Sequence, residues 1–314
     1  MHDSLRRYWY PVARAADIRD KPVAVKVLDE QVVLFRTGDR LTALKDLCIH
    51  RGAPLSLGWV NGDRITCAYH GWEYGTDGSC LRIPTLPDGK TIPRKAKAQR
   101  YLVEQRYGLA WVCLDDEPAL PVPPYPAYDD TSCATVLYDE FRWKANAARV
   151  CENVLDFTHL PWVHDGMLGS RDRPIYPHVE PQVHPDGISY DVPDEANDTV
   201  RHYRVYAPFT AAIDVRSNRP DGHNYSMLFT CSPISTRETS QWFFTSRDWD
   251  LHRPDHDWEV FDAVVMEQDR NIVENQRPEE LPLDLSEELH LRGSDAGTLA
   301  YRRFLRDLGV AWHH

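Results

Sequence analysis

The tightest constraint on the fold is a quartet of metal-binding side chains: Cys48 and His50 in CIHRGAPL, then, after sixteen intervening residues, Cys67 and His70 in CAYHGW. Two Cys and two His at C-x-H and C-x-x-H spacing suit either zinc or an iron–sulfur cluster. Three features favour the cluster. The ligands alternate Cys-His, Cys-His over two loops, so each loop can give a thiolate to one iron and an imidazole to the other. The flanking segments read as strands, not as the strand–helix unit of a zinc finger. Gly52, Pro54 and Gly71 sit close to the ligands and leave room for backbone amides to approach sulfur. With two neutral imidazoles in place of thiolates, such a cluster works at about −150 to +300 mV and carries one electron at a time. Cys80, Cys113, Cys133, Cys151 and Cys231 read as small buried hydrophobes, with no secretory context for disulfides.

Around these loops the chain alternates β-branched and polar residues from about 23 to 83, with turn signals at Asp29-Glu30, Gly38-Asp39 and Asp77-Gly78. A small all-β domain is expected over 1–117. Five prolines between 118 and 126 mark a semi-rigid connector, 118–133. A second domain, 134–314, follows: helical spacing in ARVCENVLDFTHL, strands from 188 to 248, and helices near 256–277 and 295–308. The net charge of −12 argues against a nucleic-acid partner. No apolar run is long enough to span a bilayer and the N-terminus has no signal-like core, so a cytoplasmic protein is expected. No function attaches to His313 and His314 at the terminus.

The segment ENVLDFTHLPWVHDG places Glu152, Asn153, Asp156, His159 and His164 within thirteen residues. Residues 152–159 fit one helix, with Asp156 and His159 on one side. His164 would lie about 140° from His159 on a regular helix, so Pro161 is expected to break it and fold the second histidine back. Two histidines and a carboxylate make a facial triad for Fe(II). The carboxylate candidate is Asp269, in the expected apolar stripe Trp258, Phe261, Val265, Ile272, where a buried aspartate is costly unless paired or metal-bound. An internal ion pair with an arginine is the alternative, and Glu267 is the weaker metal candidate.

The loops at 48–55 and 67–72 resemble those of the Rieske family, and Glu152, Asp156, His159 and His164 occupy the E-x-x-x-D-x-x-H-x-x-x-x-H pattern of Rieske non-haem iron oxygenases. The resemblance spans nearly the whole chain and is similar to the compact catalytic α subunits of the vanillate-demethylase and saxitoxin-tailoring type. It implies an α+β architecture: an N-terminal all-β Rieske domain, then a helix-grip catalytic domain with a curved antiparallel sheet. It also implies a [2Fe–2S] cluster on Cys48, His50, Cys67 and His70, mononuclear Fe(II) on His159, His164 and Asp269, and Asn153 close to that iron. By the same analogy the chain forms a head-to-tail homotrimer in which Asp156 links His159 to the partner subunit's His70.

The implied activity is O₂-dependent hydroxylation or demethylation of a small organic substrate, aromatic or polycyclic, as a monooxygenase. Electrons would come from a ferredoxin or a flavin/NAD(P)H reductase, since no G-x-G-x-x-G segment supplies a nicotinamide site. A cis-dihydroxylating dioxygenase, a Rieske electron carrier without oxygenase activity and a zinc-stabilised binding module are the rival readings. Tyr206, Phe209, Met227, Phe229, Trp242 and Phe244 are pocket candidates, with strand alternation turning half of them away.

Overall fold

A computed structural model describes residues 3–174, 177–195, 197–220 and 222–311; Trp312, His313 and His314 lie outside the described residues. The chain divides between Val122 and Pro123, inside the stretch read as connector, and the described residues up to Leu5 group with the C-terminal unit. The connector is packed: Tyr125 is buried, and its hydroxyl donates to the Ser226 carbonyl at 3.1 Å and pairs with Ser246 Oγ at 2.9 Å.

The first unit holds ten strands: β1 (Tyr10–Arg14), β2 (Val23–Val27), β3 (Glu30–Thr37), β4 (Arg40–Lys45), β5 (Trp59–Asn61), β6 (Arg64–Thr66), β7 (Glu73–Gly75), β8 (Cys80–Arg82), β9 (Arg100–Arg106) and β10 (Leu109–Cys113). Six form an antiparallel sheet in the order β1-β10-β9-β4-β3-β2, and β5-β6-β7-β8 form a second. In β3 the run Val32, Val33, Leu34, Phe35 is fully buried, so this strand is covered on both faces and does not simply alternate. Val33 and Phe35 share a core with Leu44, Leu55, Ile65 and Tyr74 that reaches Cys48 and Cys67.

In the second unit, β11 (Ala134–Leu137), β12 (Phe141–Trp143), β13 (Gln182–His184), β14 (Gly187–Asp194), β15 (Thr199–Tyr206), β16 (Thr210–Ser217), β17 (Tyr225–Ser235) and β18 (Glu238–Arg247) form one antiparallel sheet. Its order is β11-β18-β17-β16-β15-β14-β13, with β12 also on β18. Among the described residues five helices accompany it: α1 (Pro126–Asp129), α2 (Ala147–Leu155), α3 (Leu160–Val163), α4 (Asp255–Val273) and α5 (Ala296–Asp307). The α+β class matches the expectation.

Helix α2 starts where the Asn146 side chain accepts from the Ala148 amide, a regular N-cap. A buried ion network then ties α2 to α5. Both Glu152 oxygens take bonds from Arg302, at 2.5 and 2.8 Å, and Glu288 joins Arg302 at 2.6 Å to Arg149 at 2.8 Å. Glu152 is therefore committed to arginine. Removing one member of a buried network leaves its partner's charge uncompensated. Arg302→Met is expected to destabilise the protein by about 3–5 kcal/mol, read as a lower urea midpoint; an unchanged midpoint would contradict a structural role for this network.

Candidate functional site

The two cysteine loops are built alike. The Cys48 amide donates to the Ala53 carbonyl at 2.7 Å and the Cys67 amide to the Trp72 carbonyl at 2.8 Å, five residues on in each case. Four residues on, the Gly52 and Gly71 amides return bonds to the Cys48 and Cys67 carbonyls at 2.9 and 3.0 Å. Both glycines have φ near +70° (+73° and +69°), the left-handed region that side chains with a Cβ rarely adopt. This frame sets the two thiols in the core and leaves His50 and His70 exposed, their ring centroids 4.6 Å apart. Trp72 stacks flat on His50, 4.6 Å away at an interplanar angle of 5°.

Burial pushes the Cys67 thiol up, and its neighbour Cys48 adds to the rise. Thiolates at this depth need a cation to neutralise them, as cluster irons do. The Tyr74 hydroxyl lies 3.1 Å from Cys48 Sγ. Against a ligating thiolate it can only donate, which stabilises the more negative, reduced form of a cluster. Two buried sulfurs and two surface imidazoles fit a Rieske [2Fe–2S] group.

The second cluster of ligands departs from expectation in how its backbone is made. Helix α2 ends at Leu155, where the Asp156 amide closes it on the Glu152 and Asn153 carbonyls, so 152–159 is not one helix. Pro161 does not break that helix. It sits at the second position of the single-turn α3, where an amide hydrogen would have no partner inside the helix. His159 and His164 flank this turn, with ring centroids 5.2 Å apart.

Asp269 arrives from α4, whose buried residues are Met266, Asp269 and Val273. The buried face is thus rotated from the expected stripe: Ile272 is 52% and Phe261 40% exposed. Glu267 points away to Arg270. The described partners of Asp269 are two histidines and an asparagine, not an arginine.

Donor atoms of His159, His164 and Asp269 all lie within 4.8 Å of one another. His164 Nδ1 is 2.8 Å from Gln268 Oε1, so this nitrogen carries the proton and Nε2 presents a lone pair. That Nε2 is buried, without a hydrogen bond, and 3.1 Å from Asp269 Oδ1. His159 turns Nε2 to the same oxygen at 3.4 Å and Nδ1 to Asp156 Oδ2 at 3.7 Å, just beyond bonding range. The His164 lone pair facing a carboxylate oxygen is repelled unless a cation lies between them, and His159 brings a second ring nitrogen to the same oxygen. The residues fit a divalent metal in a facial triad.

Asn153 Nδ2 donates to Asp269 Oδ1 at 3.3 Å. Thr158 donates to Asp156 Oδ1 through its amide at 2.8 Å and its hydroxyl at 2.6 Å. Burial alone would raise the Asp156 carboxyl, but His159 and Thr158 more than offset it and leave its pKa below the ordinary value. Burial likewise opposes protonation of His159, and the Asp156 and Asp269 carboxylates outweigh it and raise its pKa.

A cavity of about 120 Å³ opens beside the triad, lined by Trp143, Tyr203, Met227, Phe229, Gln241 and Phe243 among others. Of the expected pocket residues, Met227 and Phe229 are in its wall, whereas Tyr206, Phe209, Trp242 and Phe244 are not. On β18 the pleat turns Gln241 and Phe243 inward in place of Trp242 and Phe244. Sequence reasoning also missed Gln268 and Tyr74. Their signals were there: a glutamine beside the candidate carboxylate, and a tyrosine directly after the second loop's Trp72-Glu73 pair.

The chain matches the Rieske [2Fe-2S] domain over residues 8–97 and the vanillate O-demethylase oxygenase C-terminal domain over 143–191 and 185–311. It is 32% identical to methylxanthine N1-demethylase NdmA of Pseudomonas putida over 98% of this chain and 90% of that one. It is 29% identical to the methylxanthine N3-demethylase NdmB of the same species over 88% and 83%. The structure of NdmA from Pseudomonas putida CBB5 with caffeine superposes with a TM-score of 0.88 at 30% identity, covering 97% of this chain and 91% of that one.

Gln268→Leu removes the acceptor that sets the His164 tautomer and is expected to weaken iron(II) affinity about ten- to a hundredfold, measured as iron retained against graded chelator. Full retention would show that the Nδ1 contact is dispensable. Tyr74→Phe is expected to lower the cluster midpoint potential by tens of millivolts, on the order of one lost hydrogen bond to sulfur; protein-film voltammetry reads the shift, and a rise would reverse the assignment of donor.

Proposed function

The chain belongs to the Rieske non-haem iron oxygenases, and we propose that Cys48, His50, Cys67 and His70 hold its [2Fe–2S] cluster while His159, His164 and Asp269 hold its mononuclear iron. It is a terminal oxygenase component, an oxidoreductase of O₂-dependent hydroxylation or demethylation that acts on a small organic substrate and takes electrons from a separate reductase or ferredoxin. The observation that carries the iron assignment is the meeting of two imidazole nitrogens, the His164 one a lone pair, on one buried carboxylate oxygen.

His159, His164 and Asp269 would hold an iron that would supply O₂ activation beside the substrate. The protein does the rest. Gln268 fixes the His164 ring, Asn153 holds Asp269, and the aromatic wall keeps water from the reacting carbon. Each hydroxylation consumes two external electrons, one more than a [2Fe–2S] site stores, so a flavin/NAD(P)H reductase or its ferredoxin must deliver twice per turnover. The methylxanthine demethylases support a demethylation, or hydroxylation of one C–H bond, on a compact aromatic molecule that fits the cavity.

The working form is a head-to-tail homotrimer in the cytoplasm, with a Rieske domain over 1–117, a connector over 118–133 and a catalytic domain over 134–314. No described helix is long and apolar enough to cross a membrane. Asp156 is suited to join His159 to the partner subunit's His70. Its Oδ1 is held by Thr158, its Oδ2 faces His159, and its side chain is 35% exposed. In the first unit His70 is itself exposed, its ring 3.9 Å from that of Tyr69, which is 63% exposed.

Reconstituted protein is expected to hold about three irons per chain and to show a rhombic EPR signal on reduction. His159→Ala should lose only the third iron. Asp156→Asn should keep all three and lose turnover by more than about a hundredfold, with single-turnover cluster oxidation slowed in parallel. Full activity in that variant would remove Asp156 from the electron route.

A further inference from the structure

One wall of the cavity carries polar groups that neither metal uses. Asp262 lies on α4 seven residues before Asp269, two turns away on the same side and about 10 Å along the axis. Its Oδ2 accepts from the Tyr138 hydroxyl, which pairs with Thr245 Oγ1 at 3.0 Å. Among the described residues no Arg, Lys or His forms an ion pair with Asp262. Arg201, also in the wall, is engaged by Asp194 at 3.0 Å. Burial pushes the Asp262 carboxyl up to about 6, with Tyr138 pulling the other way, so near neutral pH it is largely an anion. A carboxylate with one hydrogen bond in an aromatic cavity is expensive unless something positive or N–H-bearing answers it.

Gln241 lines the same cavity, is 1% exposed, and has neither its amide nitrogen nor its oxygen bonded. A buried side-chain amide calls for hydrogen-bond partners, and in a cavity wall these come from water or from a bound ligand. Aromatic rings, Phe229 and Phe243 among them, complete the wall. Phe229 stacks on Phe243 at 4.2 Å, and Phe243 on Tyr138 at 4.5 Å.

We propose that Asp262 and Gln241 select the substrate as a flat nitrogen heteroaromatic, its cationic or N–H-bearing nitrogen held by the Asp262 carboxylate and its polar edge by the Gln241 amide. This rests on the cavity being the oxygenase's substrate site. Aromatic carboxylates and sulfonates are disfavoured, because their charge would face Asp262 with Arg201 already committed. The separation along α4 suits a one- or two-ring molecule anchored at Asp262 and reaching toward the triad.

The test uses iron-loaded full-length protein and three quinolines of one shape: cationic 4-aminoquinoline, the neutral N–H donor 4-quinolone and anionic quinoline-4-carboxylate. Calorimetry is expected to show 4-aminoquinoline binding at least about tenfold more tightly than the carboxylate, the scale of one charged hydrogen bond. The near-isosteric Asp262→Asn should erase that preference. Gln241→Leu, which leaves the charge in place, should weaken 4-quinolone about fivefold or more while keeping the preference for the cation. Equal or tighter carboxylate binding, an unchanged preference in Asp262→Asn, or no binding of any probe overturns the proposal. The EPR signal of the ferric mononuclear iron, recorded with each probe, separates the two assignments. A cation preference without any change in that signal would uphold the ligand reading and refute the cavity as the oxygenase's substrate site.

Discussion

The catalytic half of this protein is organised around one unfavourable contact. Two imidazole nitrogens converge on one buried carboxylate oxygen, and the His164 nitrogen meets it as a lone pair that calls for a cation between them. Much nearby structure keeps them there. A single turn of helix spaces the histidines, Gln268 fixes a tautomer, Asn153 holds the carboxylate, and Glu152 is kept out of the way by Arg302. The cysteine loops meet a parallel demand with backbone hydrogen bonds and two left-handed glycines.

The two sites divide the work by burial. Cys48 and Cys67 place sulfurs deep while His50 and His70 lie at the surface, an arrangement that would suit handing over electrons. The triad is enclosed beside an aromatic cavity, an arrangement for handling a substrate away from water. Neither would serve in the other's place.

Much of this was legible in the residues. Ligand spacing is a local property, so the cysteine loops could be read directly, and a carboxylate on the inner side of an amphipathic helix drew attention to Asp269. What could not be read depended on where chains end and which way they face. Asp156 as the closing residue of α2 follows from cap geometry that a helical periodicity does not encode. The stretch QWFFTS carries large side chains at adjacent positions, so its pleat could be turned either way, and only the packed sheet decides that Gln241 and Phe243 face inward. Gln268 gains its role from a histidine 104 residues away.

Helix α4 has a further consequence. Of its nineteen residues only three are buried, and one of those is the carboxylate itself. Its hold on the sheet is therefore thin, and a metal joining Asp269 to His164 would close a loop of 105 residues (269 − 164). Cross-links over so long a span restrict the open chain strongly. With a metal held there, its uptake and the docking of this helix would be one equilibrium, and metal affinity would measure, in part, the local folding of α4.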